Sequence, residues 1–227
     1  VFAIIFLINA IYLAFCFLND FFQITYYNQN DNSMIDWAAA EKMSDAELVA
    51  LSLENQADFA FIIQRYKLRL FTYIRRLSNI SPEDAEDLLQ EIFLKIYLNL
   101  NDFDSSLKFS SWAYAIAHNQ IISNYRKLRV RPEGHQVGID SDAARRLASG
   151  FDIVAGVDSA YLAEKVQKIL DRLPAKYREV LVLKFLEEKN YQEISDIIKK
   201  PVGTVGSMLN QAKKEFKTSI EKNNIKI

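Results

Sequence analysis

The first 133 residues contain no glycine, and four of the chain's six glycines (Gly134, Gly138, Gly150 and Gly156) fall between 134 and 156. Glycine is the residue that most readily lets a backbone leave regular structure. The chain is therefore limited to a long regular stretch, an irregular middle and a second regular stretch. Apolar spacing decides which regular structure. In 58–77, Phe59, Ile62, Ile63, Tyr66, Leu70, Tyr73, Ile74 and Leu77 recur at three- and four-residue steps, the period of a helix and not of a strand. Pro82, Pro132, Pro174 and Pro201 each stand beside a helix start or stop, where a fixed φ and a missing N–H do least harm. The fold class expected is all-α: two small helical domains joined by a flexible linker.

Composition narrows the chemistry. Lys and Arg number 28 against 29 Asp and Glu, a net charge of −1, so contact with nucleic acid must rest on local basic patches. One cysteine, Cys16, excludes a disulfide within the chain. With only two histidines, His118 and His135, no metal site is expected either. There is no Gly-rich phosphate loop or nucleophile motif, so neither an enzyme nor a cofactor is expected.

Residues 1–33 are read as an apolar leader. No charge precedes Asp20 and no Lys or Arg precedes Lys42, which leaves neither a signal-peptide n-region nor a positive-inside flank. An over-extended start with the working protein beginning at Met34 or Met43, a membrane anchor, and a helix buried against the domain all remain open.

The first domain is placed at 34–131. Ser44-Asp45-Ala46-Glu47 is a capping box, followed by Leu48, Leu51 and Leu53 on a short helix. The helix over 58–77 carries Arg65, Lys67, Arg69, Arg75 and Arg76 opposite its apolar stripe, and the plain reading of that basic face is solvation. Ser81-Pro82-Glu83-Asp84 caps a third helix with Leu88, Leu89, Ile92, Phe93, Ile96, Tyr97 and Leu100 inside, leaving Asp84, Asp87, Gln90, Glu91 and Lys95 outside. A fourth, over 111–128, ends in cations that suit its negative dipole end. Trp112, Tyr114, His118 and Tyr125 beside those cations also form the ingredients for holding a single strand, by stacking on bases while cations track phosphates.

Asp84-Ala-Glu-Asp-Leu-Leu-Gln-Glu-Ile-Phe-Leu-Lys-Ile-Tyr97, then Phe103, then Lys108-Phe-Ser-Ser-Trp-Ala-Tyr-Ala-Ile-Ala-His-Asn119, resemble region 2 of the sigma-70 family of RNA polymerase sigma factors, extracytoplasmic-function type. The resemblance implies that Asp87, Gln90, Glu91 and Lys95 dock on the polymerase clamp helices. It also implies that Lys108, Trp112, Asn119, Ser123, Arg126 and Lys127 contact the minus-ten element. Asn119 and Ser123 align with positions that hold a flipped-out base. Ser123 stands where Asp or Asn is common, which leaves the preferred base open.

Residues 132–159 read as the linker, with His135 as exposed loop. The second domain is placed at 160–227. A helix over 160–173 stops at Leu173-Pro174, and a second carries Tyr177, Val180, Leu181, Leu183 and Phe185 to Leu186. A third, over 191–198, is joined by Lys199-Lys200-Pro201-Val202-Gly203 to a last helix over 204–216, a helix-turn-helix pattern. Base edges would be met by Thr204, Ser207, Asn210 and Gln211, and phosphates by Lys199, Lys200, Lys213 and Lys214. A plain helical hairpin with a lysine-rich surface fits the same spacing.

Leu173-Pro-Ala-Lys-Tyr-Arg-Glu-Val, Tyr191-Gln-Glu-Ile-Ser195 and Pro201-Val-Gly-Thr-Val205 through Ala212 are similar to region 4 of the same family. Region 4 reads the minus-thirty-five element, which implies contacts from Lys200, Thr204, Ser207, Asn210, Gln211, Lys213 and Lys214. Gly206, Met208 and Gln211 occupy positions where members often carry cations, so a weaker and less salt-sensitive grip is expected. The partners implied are core RNA polymerase and promoter DNA, with room for an anti-sigma factor and none for a small-molecule substrate. A cytoplasmic location is expected, with membrane association if 1–20 are translated. The runner-up is a stand-alone helix-turn-helix regulator.

Overall fold

A computed structural model describes residues 37–78, 80–128, 147 and 159–222, all helices, turns and short connections. The helices are α1 (Trp37–Lys42), α2 (Asp45–Glu54), α3 (Phe59–Leu77), α4 (Pro82–Leu98), α5 (Phe109–Leu128), α6 (Ser159–Arg172), α7 (Ala175–Leu181), α8 (Tyr191–Ile198) and α9 (Val202–Lys222). The apolar leader lies outside the described residues, and so does the linker apart from buried Leu147 and the first residue of α6.

Local rules set most boundaries. The Ser44 hydroxyl accepts from the Glu47 amide at 3.2 Å, and Glu47 accepts from the Ser44 amide at 2.6 Å, which completes the capping box of α2. On α2 Leu48 and Val49 are buried, whereas Leu53 is 48% exposed and does not belong to the inner face. A 3-10 turn, Gln56–Asp58, capped by the Asn55 side chain, precedes α3, so the helix starts at Phe59. Ser81 caps α4 by accepting from the Asp84 amide at 3.0 Å.

Two compact units result. The first unites the described residues up to Arg69 with Phe93–Phe109. Phe59, Ile62, Tyr66, Phe93, Ile96 and Phe109 fill it, with edge-to-face pairs Phe59–Phe93 and Tyr66–Phe109. Arg65 ties α3 to the start of α2 here, donating to Asp45 and to the Ala40 and Met43 carbonyls, each at 2.8 Å.

The second unit unites Leu70–Ile92 with the described residues from Ser110 onward. Leu70, Tyr73, Ile74, Leu89, Ala113, Ala117 and Ile121 are buried on its α3–α5 side, and Val180–Leu183, Ile194, Ile197, Val205, Leu209 and Phe216 on its α7–α9 side. After α7 the backbone widens into a π turn, Val182–Leu186, and Glu188 takes a left-handed φ of 55°. α8 opens on a second capping box, Asn190 with Glu193, and closes on Lys199 at φ 54°.

Candidate nucleic-acid interface

The two sides of α5 differ sharply. Ala113, Tyr114, Ala117, His118 and Ile121 face inward, while Trp112, Ile116, Asn119 and Ser123, spaced by three or four residues, form the half-buried to exposed side. Tyr114 and His118 stood with Trp112 among the ingredients for holding a single strand, and the fold removes them from that set: their exposures are 2% and 7%. The Tyr73 hydroxyl lies 3.2 Å from Nδ1 of His118. The small side chains of Ala113 and Ala117 let neighbouring helices close over that face, which leaves no room for a base. Lys108 is exposed just before the helix. Arg126 and Lys127 stand in the last turn of α5, with side chains outside the described residues.

On α4, Asp87, Glu91 and Lys95 are exposed and Gln90 is half-buried. Glu91 accepts from the Gln120 side chain at 2.8 Å, linking this face to α5.

Solvation of the basic face of α3 is also corrected. Arg75 is buried and donates to the Ile80 carbonyl at 2.7 Å, closing the turn into α4. Arg76 donates to Glu187 at 2.9 Å and to the Leu186 carbonyl at 3.3 Å. With Arg65 engaged on α2, Arg69 is the exposed cation of that group and Lys67 is half-buried.

In the helix-turn-helix, Lys200, Thr204, Ser207, Asn210, Gln211 and Lys214 are exposed, and Thr204, Ser207, Gln211 and Lys214 run along one side of α9. α9 begins two residues earlier than the spacing suggested, because Pro201 fixes the backbone ahead of Val202. Lys213 lies over the Phe185 ring, 5.4 Å from its centre. Sequence reading took Tyr191 as a helix start and as the first residue of the region 4 motif, with no contact of its own assigned. It is 42% exposed, Lys184 sits 5.3 Å from its ring centre, and a Cβ at Gly206 would lie 3.7 Å from its edge. Its signal was the cation missing at 206.

Sequence comparison bears on both surfaces. The Sigma-70 region 2 family model matches residues 62–131 and the Sigma-70, region 4 model matches 163–216. The chain is 32% identical over 190 residues to the ECF RNA polymerase sigma factor SigW of Bacillus subtilis, covering 79% of this chain and 98% of that one. This chain belongs to the ECF RNA polymerase sigma factors. It is also 27% identical to the ECF RNA polymerase sigma-E factor of Escherichia coli K12, over 80% of this sigma factor and 97% of that protein. Two solved structures share the fold. One is CnrH in complex with the cytosolic domain of CnrY, at TM-score 0.57 and 22% identity over 78% of this chain and 97% of that one. The other is RpoE of Bartonella quintana in complex with the anti-sigma factor NepR, at TM-score 0.53 and 20% identity over 72% and 97%. The sigma factor reading displaces the stand-alone regulator. Among the described residues no helix is long and apolar enough to cross a membrane, and no group of His, Cys, Asp or Glu is placed to hold a metal ion.

Proposed function

We propose that this sigma factor docks on core RNA polymerase through Asp87, Gln90, Glu91 and Lys95 and reads two promoter elements with α5 and α9. Trp112, Asn119 and Ser123, flanked by Lys108, Arg126 and Lys127, take the minus-ten element. The observation that carries this is the outward stripe of α5, where an aromatic ring and two small polar side chains stand along one edge above a sealed apolar face. Such an edge can stack on a base and hydrogen-bond its rim once the strand is open. Thr204, Ser207, Asn210 and Gln211 take base edges of the minus-thirty-five element, with Lys200, Lys213 and Lys214 on phosphates. The protein performs no reaction of its own and works in the cytoplasm. The working division is 34–131, a linker at 132–159, and 160–227. An anti-sigma factor fits as a further partner, because RpoE of Bartonella quintana is held by one.

Run-off transcription tests this. Added to sigma-free core polymerase over genomic promoter fragments, the protein should yield discrete transcripts, and Asn119→Ala should reduce them at least tenfold. An operator footprint from the protein alone, with no transcript, would overturn it in favour of a stand-alone regulator.

A further inference from the structure

Arg69 stands apart from the other arginines of α3. Arg65 is taken up by Asp45 and by the Ala40 and Met43 carbonyls, and Arg75 and Arg76 have buried acceptors of their own. Arg69 is exposed, and among the described residues no hydrogen bond or ion pair holds its guanidinium. Asp45, the acid at that turn of α3, has both oxygens engaged, one by Arg65 and the other by the Tyr66 hydroxyl. The charge of Arg69 therefore faces solvent.

The fold sets a second exposed cation near it. Tyr66 and Arg69 lie three residues apart on one side of α3. The Arg69 charge is felt at the Tyr66 phenol, where it counters part of the upward pull of burial. The Tyr66 ring meets Phe109 edge to face, with centres 5.4 Å apart. Phe109 is the first residue of α5, and exposed Lys108 immediately precedes it. Arg69 and Lys108 thus flank one buried aromatic pair, and all four residues belong to one compact unit. Asp104, the acid nearest Lys108 in the chain, accepts from the Ser106 amide at 2.9 Å. Two cations gathered at one surface repel, and an anion held by both turns that repulsion into attraction.

The course of α5 indicates which anion. Lys108 leads into the helix, which runs past Trp112, Asn119 and Ser123 to Arg126, roughly 27 Å further on at about 1.5 Å per residue. A strand laid along that side meets cations at both ends, and Arg69 doubles the charge at the first. Its guanidinium can take a phosphate through two parallel N–H donors, which an ammonium cannot. We propose that Arg69 is a phosphate contact for the opened promoter strand, acting jointly with Lys108 where α5 begins. This rests on the reading of α5 as the minus-ten contact.

The test uses the full chain with core polymerase and a fork-junction DNA whose non-template minus-ten strand is single and dye-labelled. Fluorescence anisotropy gives the affinity from about 50 to about 200 mM salt. Arg69→Gln should flatten the dependence of log K on log salt by about 0.7, one single-strand phosphate, so that its affinity deficit shrinks about 2.6-fold over that range. Lys108→Gln should do the same, the double variant should flatten it by about 1.4, and Arg69→Lys should keep the wild-type slope. A scrambled minus-ten sequence should leave the Arg69→Gln deficit unchanged, because phosphates carry no sequence. Titrations of labelled core without DNA should give one affinity for all four variants and the wild type. A wild-type slope for Arg69→Gln overturns the contact. A fall in core affinity in place of a change in slope also overturns it, and puts Arg69 on the polymerase. Asn119→Ala, measured in parallel, reports on α5 alone. Weaker binding by Asn119→Ala beside an unchanged Arg69→Gln slope leaves the α5 reading standing and the Arg69 contact fallen. Undiminished binding by Asn119→Ala takes the minus-ten strand off α5, and the proposal falls with it.

Discussion

Arg76 and Glu187 stand 111 residues apart in sequence and 2.9 Å apart in the fold, with 9% and 7% of their side chains exposed. The Arg65–Asp45 pair is just as short at 2.8 Å, but its exposures are 21% and 31%. Distance does not distinguish the two pairs; burial does. Water screens the second pair and is excluded from the first.

Double-mutant cycles should separate them. Arg76→Met with Glu187→Met, followed by thermal unfolding of the full chain, is expected to give a coupling of about 1.5–3 kcal/mol. Arg65→Met with Asp45→Asn should give about 1 kcal/mol or less, in the range of exposed pairs. Equal couplings would mean that burial of Glu187 does not persist in solution.

The second buried contact makes stability depend on pH. Burial pushes the Glu179 carboxyl from its ordinary 4.5 up to about 7, with Lys200 pulling it back in part. Burial holds His118, which faces it beside Tyr73, down at about 4. The folded protein keeps a proton on Glu179 that the unfolded chain releases, so that contribution is full below about pH 4.5 and is lost as pH rises through about 7. His118 acts oppositely, with stability lost as pH falls from about 6.5 toward 4. Above about pH 6.5 only the Glu179 slope remains. Between about pH 6.5 and 8 the wild type should lose on the order of 1 kcal/mol relative to Glu179→Gln, whose amide cannot ionise. Parallel unfolding curves for the two proteins across that window would contradict this assignment.

What the sequence could disclose follows from the range of the interactions. The Ser44–Glu47 box and the α3 stripe depend on residues within one or two turns, so their spacing announces them. The outward side of α4 was legible for the same reason. Arg76 was not, because a cation on a helix looks alike whether its partner is water or a carboxylate 111 residues away. Tyr114 and His118 were misplaced because α5 carries apolar and aromatic groups around most of its circumference, and only the neighbouring helices decide which arc is covered. The Asn190–Glu193 box was within reach of a sequence reading and was overlooked behind the Tyr191 motif.

That second box carries its own expectation. The Asn190 side chain accepts from the Glu193 amide at 2.9 Å, and Glu193 accepts from the Asn190 amide at 2.8 Å. α8 has only 8 residues, too few to stand without caps and packing. Asn190→Ala should cost about 1 kcal/mol, and Asn190→Ser much less, because serine restores the acceptor. Hydrogen exchange of the α8 amides should show the loss locally before global unfolding does.

The last expectation concerns Gly206, half-exposed on α9 between Thr204 and Ser207, which are proposed to meet base edges. A side chain there is tolerated, since its Cβ would meet the Tyr191 ring edge at an ordinary 3.7 Å. Replacing a helical glycine also favours the helix by roughly 0.5–1 kcal/mol. Gly206→Ala should therefore raise the unfolding temperature and leave DNA binding nearly unchanged. Gly206→Lys should raise it similarly and add one phosphate contact, steepening the dependence of log K on log salt by about 0.9. Fluorescence-anisotropy titrations of a minus-thirty-five duplex over a range of salt would measure both variants. A steeper slope for lysine alone would support the proposed placement of position 206 beside the phosphates. Equal slopes would mean that position 206 does not face the phosphates, and that the exposed Tyr191 and the half-buried Lys184 near it are not at the DNA either.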